Sequence, residues 1–303
     1  MTSTPDPMRG EEYWAQKGAV SLFLWRKKAH QGIDRARPPV LLVHGSSLSA
    51  QPTFDLEVPG HADYSFMEWL ARHGHDVWTL DHEGYGRSTI TSGNSDIACG
   101  VEDLKVAVRV IQRETGATAL HVYGLSSGAI RAAAFAEVAP ESVARLALDG
   151  FVWTGEGSPT LAKRREGVAS FAANNRRPID RAFIESIFTR DQPGTSEPAV
   201  MAACAAAQLG YADSVPTGTY LDMTTKLPLV DPARIRAATL VVRGVHDGIA
   251  TEADLAGFFV RLPNPDKQFS VLPRLAHCTP LGTERHRLWG TVKTFFDAER
   301  RPD

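Results

Sequence analysis

Three things are scarce in this sequence: cysteine, net charge and long apolar runs. Its three cysteines, Cys99, Cys204 and Cys278, are odd in number and far apart, which argues against a disulfide framework and for a reducing compartment. The 33 basic and 35 acidic side chains leave a formal charge of -2, so no global field draws the chain to nucleic acid or to an anionic membrane. No stretch reaches the roughly 20 apolar residues of a membrane span. The segment Met1 to Trp14 has two prolines, several charges and no apolar run, unlike a signal peptide. His73 and His75 flank Gly74, and His61 stands near Asp63, but no H-E-x-x-H helix or cysteine pair accompanies them, so a zinc site is not expected. These absences predict a cytoplasmic protein with a small-molecule substrate, no cofactor and no nucleic-acid or membrane partner; whether it is a monomer or a homodimer is left open by the sequence.

What is present is an ordinary globular balance over 303 residues, 43% hydrophobic and 22% charged, enough for a large core in one domain with an insertion. Short apolar runs alternate with segments of helical period, the pattern of parallel βαβ units and an α/β fold. Six runs read as core strands: Pro39 to Gly45, Asp76 to Asp81, Leu120 to Gly124, Val143 to Leu148, Thr239 to Gly244 and Gln268 to Leu272. Val20 to Lys28 reads as an antiparallel hairpin strand at the edge. Val101, Leu104, Val108 and Ile111 fall on one helical face, as do Leu288, Val292, Phe295 and Phe296.

The alternation breaks between about Trp153 and Ala237, a stretch too long for a bare loop. It holds helical pieces at 182–188 and 199–209, with turn signals at Gln192-Pro193-Gly194 and Val215-Pro216-Thr217-Gly218. The expected organisation is a core of residues 1–152 and 238–303 with a helical cap inserted at 153–237. Asn174-Asn175-Arg176-Arg177 in the cap reads as a solvated turn, the alternative being an arginine that meets an anionic group of the substrate. Cys204, in an alanine-rich helix, reads as packing.

One short segment carries chemistry. In Leu120 to Ala129 a strand meets an alanine-rich helix through Gly124-Leu125-Ser126-Ser127-Gly128. A serine at a strained turn needs glycines where neighbouring main chain comes close, and the turn puts Oγ at a helix N-terminus, where the dipole favours developing negative charge. Ser126, midway between the glycines, is the expected nucleophile. Its neighbour Ser127 is placed instead to offer its backbone N–H to an oxyanion.

Four segments together resemble the α/β-hydrolase superfamily, here a serine-hydrolase member with an inserted cap. His44-Gly45-Ser46-Ser47 resembles the turn that supplies one oxyanion donor, which implies the Ser46 N–H. Asp81 to Ser88 resembles the family's Asp-x-x-Gly-x-Gly-x-Ser loop. Gly124 to Gly128 is the nucleophile turn, and Gly244 to Asp247 and Ala276-His277 resemble the acid and base segments. The resemblance spans residues 40 to 280 and implies a mostly parallel sheet flanked by helices.

A serine hydroxyl needs a base, and the base an orienting group. In the chain order serine, acid, histidine, His277 follows the last core strand and is the expected base, His286 lying in a predicted helix among charges. Asp247 is the expected acid. Asp149 is its rival, since some members of the family place the acid there. His44 reads as a brace for its loop; Ser47, Trp153 and Cys278 are further candidates for the substrate pocket. The implied reaction is hydrolysis of a small apolar or aromatic carboxylic ester. Carbon-carbon bond, lactone or amide cleavage on the same residues, and a small-molecule receptor with vestigial turnover, remain open alternatives.

Overall fold

The computed structural model describes residues 8–28 and 37–298. The first seven residues, half of the segment read as lacking a signal peptide, lie outside them.

Ten strands occur among the described residues. They are β1 (Glu11–Lys17), β2 (Val20–Lys28), β3 (Val40–Val43), β4 (Asp76–Leu80), β5 (Leu120–Leu125), β6 (Val143–Asp149), β7 (Arg176–Pro178), β8 (Ser214–Pro216), β9 (Ala238–Gly244) and β10 (Lys267–Leu272). Eight form one twisted sheet in the order β1-β2-β4-β3-β5-β6-β9-β10. From β4 to β10 every pairing is parallel, while β1–β2 and β2–β4 are antiparallel. The six apolar runs are thus six parallel strands. Val40, Leu41, Leu42 and Val43 are wholly buried, as a central strand covered on both faces requires. Each such side chain contributes about 2 kcal/mol through burial.

Two differences from the sequence reading concern the rims. β2 is second from the edge, because β1 continues the hairpin and covers it. β1 reads Glu-Glu-Tyr-Trp-Ala-Gln-Lys, too polar to signal a strand by its apolar residues. β10 is the opposite edge and half exposed, rather than buried like the inner strands.

Helices cover both faces. On one side lie α3 (Ile97–Thr115) and α4 (Ser127–Val138), with Leu104, Val108, Ile111 and Ile130 buried against the strands. On the other lie α1 (Ala50–Phe54), α2 (Phe66–Arg72) and α11 (Arg285–Asp297), with Leu288, Val292, Phe295 and Phe296 inward. Both apolar stripes face the sheet as their spacing predicts. Asp96 caps α3 by accepting from the Cys99 N–H at 2.8 Å, and left-handed Gly116 ends it.

Between β6 and β9 run α5 (Pro159–Arg165), α6 (Val168–Ala173), α7 (Arg181–Thr189), α8 (Pro198–Leu209) and α9 (Gly218–Thr225); α10 (Glu252–Arg261) follows β9. The stretch also contains an antiparallel ribbon, β7–β8, pairing Arg176 with Pro216 and Arg177 with Val215. The ribbon replaces the solvated turn expected at Asn174 to Arg177 and one of the two expected turn signals. Arg177 is 8% exposed. The stretch buries its own apolar set, with Ile184, Phe188, Val200 and Cys204 meeting Leu48, Tyr85 and Cys278 of the sheet loops.

Cys99, Cys204 and Cys278 are free thiols. No helix among the described residues is long and apolar enough to cross a membrane.

Candidate active site

β5 delivers Ser126 and α4 leaves from it. Ser126 has φ 58° and ψ -125°, a left-handed conformation that a β-carbon makes costly. The two flanking glycines are dictated by contact. A Cβ on Gly128 would stand 2.3 Å from the Val43 carbonyl oxygen, and one on Gly124 2.5 Å from that of Gly128. The strained residue is fixed from behind, where the Ser126 N–H donates to the Asp149 carbonyl at 2.8 Å. Ala129 and Ile130 of the first turn of α4 donate to the Ser126 carbonyl at 2.9 and 3.4 Å, while the N–H of Ser127, the first residue of α4, has no acceptor within its own helix.

The turn after β3 lies against this elbow, since a Cβ on Gly45 would be 3.0 Å from Ser126 Cβ. Ser46 and Ser47 follow it. Ser47 has φ 83°, a second strained position beside the first. His44 braces the turn, its Nδ1–H donating to the Gly45 carbonyl at 2.7 Å while Nε2 accepts from the His82 N–H at 3.1 Å. Burial, with His82 and Arg131 nearby, holds the His44 ring far below the usual imidazole range and therefore neutral.

Two loops after β9 and β10 bring in the other partners. They are stitched together by main-chain bonds, the Val245 N–H to the Leu272 carbonyl at 2.9 Å and the His246 N–H to Leu275 at 3.0 Å. Buried Arg243 wraps the β9 loop, donating to the carbonyls of Gly244, Ala250 and Asp247 at 3.0, 3.1 and 2.6 Å. Asp247 thereby presents both carboxylate oxygens to His277 Nδ1, each at 3.0 Å. His277 Nε2 lies 3.0 Å from Ser126 Oγ. Burial opposes the charge on Asp247, but His277, the Ile249 N–H and Arg190 together hold its carboxyl below the ordinary range. With Nδ1 protonated toward Asp247, Nε2 is free to accept the Ser126 proton.

The same chemistry has a match among protein families: residues 60–284 fit the family described as serine aminopeptidase, S33. The chain belongs to this S33 α/β-hydrolase family. No curated protein matches it. Among solved structures it is similar to a bromoperoxidase from Bacillus anthracis, with 16% identity, TM-score 0.70, and 95% of this chain and 100% of that one covered. It is similar also to 2-hydroxy-6-oxo-6-phenylhexa-2,4-dienoate hydrolase from a Rhodococcus species, with 19% identity, TM-score 0.69, and 96% and 100% covered. An esterase from Thermogutta terrifontis shares 20% identity at TM-score 0.68, with 94% and 97% covered. At these identities the likeness is one of fold.

Within this S33 hydrolase, Asp149 stands apart from His277. One of its oxygens accepts from the Tyr123 hydroxyl at 2.5 Å and from the Thr279 hydroxyl. Burial pushes its carboxyl up to about 7, against those two bonds. Trp153, at the start of the inserted stretch, donates its ring N–H to the Val230 carbonyl at 3.1 Å and packs near Phe258. Cys278 lies buried against α7, its thiol 3.9 Å from the Ile187 carbonyl, and burial raises it to about 12. Ser47 accepts from Arg177 Nη2 at 2.5 Å and lies 3.4 Å from the Tyr220 hydroxyl.

The stretch between β6 and β9 is docked onto these loops. Arg176 donates to the Gly84 carbonyl at 2.9 Å, and Ser158 and Thr160 meet the Gly248 carbonyl next to Asp247 at 3.1 and 3.3 Å. Ser126, His277 and Asp247 are left 8%, 5% and 3% exposed. Sequence reasoning missed Arg164 and Arg190, and counted Tyr220 only among the large aromatic side chains of the cap; all three gather near Arg177. They come from three elements with no shared motif, and the only hint is a set of arginines interleaved with aromatic residues between β6 and β9.

Among the described residues one group could hold a metal by spacing, Glu83, Cys99 and Asp103. The Lys17 ammonium already sits there, 2.7 Å from Glu83, 3.3 Å from the Cys99 sulfur and paired with Asp103. That cation answers the charge of the cluster.

Proposed function

We propose that the chain is a serine hydrolase that cleaves a small carboxylic ester through an acyl-enzyme on Ser126. The observation that carries the reading is the unbroken line from Ser126 Oγ to His277 Nε2 to Asp247, with every step at 3.0 Å.

In the proposed mechanism His277 takes the Ser126 proton as Oγ attacks the ester carbonyl, and Asp247 steadies the imidazolium. The oxyanion is met by the N–H groups of Ser46 and Ser127, a reading supported by the contact of the Gly45 turn with Ser126 and by the place of Ser127 at the start of α4. His277 returns the proton to the departing alcohol, then activates a water that releases the acid. Residues 153–237 act as a cap that keeps bulk water from the acyl-enzyme, which is supported by the low exposure of the three side chains. The aromatic members of the cap suit an apolar or aromatic portion of the ester.

The test is hydrolysis of a panel of p-nitrophenyl esters by wild type and Ser126→Ala. The reading expects turnover of at least one ester and a loss on the order of 10³-fold or more in the variant. Equal rates in the two proteins contradict it. Turnover of lactones, amides or β-diketones in place of esters moves the substrate while keeping the residues.

A further inference from the structure

We propose that the cavity between α5, α7 and α9 is a carboxylate-binding subsite, so that the ester carries a negative charge at a distance from its reacting carbonyl. The inference rests on the hydrolase reading for its place in a reaction, but the binding it asserts stands by itself.

The cavity has a volume of about 470 Å³ and its lining includes Lys163, Arg164, Arg190, Asp191, Tyr220 and Phe183, with His246 and Gly248 beside Asp247; Arg177 lies just outside the lining, against the Tyr220 ring. Cations dominate it. The Arg164 and Arg177 guanidinium carbons lie 4.1 and 4.0 Å from the centre of the Tyr220 ring, and Arg177 is 4.9 Å from that of Phe183. Neither arginine meets a carboxylate among the described residues. The near polar neighbour of Arg164 is the Met223 sulfur at 3.9 Å. Arg177 spends Nη2 on the Ser46 and Ser47 hydroxyls, and its buried Nε has no partner. Arg190 reaches Asp191 only at 3.4 Å.

Guanidinium groups taken out of water without a counter-charge are costly. The same chain shows the usual remedy at Arg26, which meets Asp76 with two bonds of 2.8 and 2.6 Å. Arg164 and Arg177 have no such partner, since Asp191, the carboxylate in the cavity lining, stands by Arg190, and an aromatic face is a weak substitute. A planar carboxylate fits the fork of a guanidinium and supplies the missing charge. Arg177 bridges the subsite to the elbow, since its hydroxyl partners, Ser46 and Ser47, follow the Gly45 turn that lies against Ser126. A half-ester of a short dicarboxylic acid is the simplest substrate of this kind.

The test is calorimetric binding to Ser126→Ala protein, comparing monomethyl glutarate with its uncharged counterpart methyl valerate. The half-ester is expected to bind about tenfold or more tightly, and Arg164→Gln in the same background to bring the two within about twofold. Arg164→Lys should keep part of the preference. Arg190→Gln, on the cavity rim, gives the same readout should Arg164→Gln fail to fold. Equal binding of the two esters, no detectable binding of the half-ester, or an equal loss for both in the arginine variants overturns the proposal. Stronger competition by inorganic phosphate than by glutarate overturns the carboxylate assignment. A protein that prefers the half-ester yet hydrolyses nothing and resists a fluorophosphonate probe supports the subsite while removing the hydrolase reading.

Discussion

The Arg177 guanidinium donates to the Ser47 hydroxyl at 2.5 Å, and through that bond the β7–β8 ribbon grips the turn beside the serine elbow. Ser47 holds a left-handed backbone with a β-carbon, a strain of order 1–3 kcal/mol that persists only where surroundings enforce it. The bond from Arg177 is one such constraint. A residue expected to wave in solvent is thus wedged between Tyr220, Phe183 and the turn next to Ser126.

The two aspartates at adjacent strand ends make opposite predictions. Asp247→Asn removes the acceptor that orients the His277 ring, and kcat on a hydrolysed ester should fall by about 10⁴-fold. Asp149→Asn leaves the His277 contacts intact, and kcat should stay within about threefold of wild type, a change near RT. Full activity in Asp247→Asn with loss in Asp149→Asn reverses the assignment.

Asp149 also predicts a dependence of stability on pH. Burial pushes its folded carboxyl up to about 7, above the ordinary aspartate range near 3.8, so the folded state binds the proton more tightly than the unfolded one. The stabilisation is complete below about pH 4 and is lost as pH rises through about 7. In urea unfolding, wild type measured against Asp149→Asn should therefore lose relative stability between pH 4 and 7. A flat difference across that window contradicts the account.

Much of the site was legible in the sequence and some of it could not be. Ser126, Asp247 and His277 each follow an apolar strand run, so their place at one sheet edge is set by topology and can be read from order alone. Gly124 and Gly128 announce the elbow because their contacts forbid any side chain. β1 escaped notice because an edge hairpin strand with an exposed face needs few apolar residues. Arg176 and Arg177 looked like a turn because nothing local says that Ser214 to Pro216 will pair with them; that pairing depends on some 40 residues folding between. Asp149, the last residue of β6, and Asp247, in the loop after β9, both precede a glycine, so the sequence favours Asp247 without dismissing its rival, and the 3.0 Å contacts of Asp247 with His277, together with the Tyr123 and Thr279 bonds of Asp149, separate them.

Tyr220 offers a spectroscopic check on the cation cluster. Burial alone raises its hydroxyl, but Arg164, Arg177 and Arg190, with the Ser47 hydroxyl, bring it down to about 7. The phenolate absorbance should show one tyrosine titrating near neutrality, absent in Tyr220→Phe and shifted upward in Arg164→Gln. No tyrosine titrating below about 9 contradicts the convergence of charges on this ring, since an isolated tyrosine ionises near 10.

The central claim is that Ser126 is the nucleophile, and the most direct measurement is to label the protein with a fluorophosphonate and locate the adduct by peptide mass spectrometry. The account predicts one adduct, on Ser126, lost in Ser126→Ala, retained in Ser127→Ala and slowed in His277→Ala. An adduct on another serine, or labelling that Ser126→Ala leaves unchanged, contradicts it.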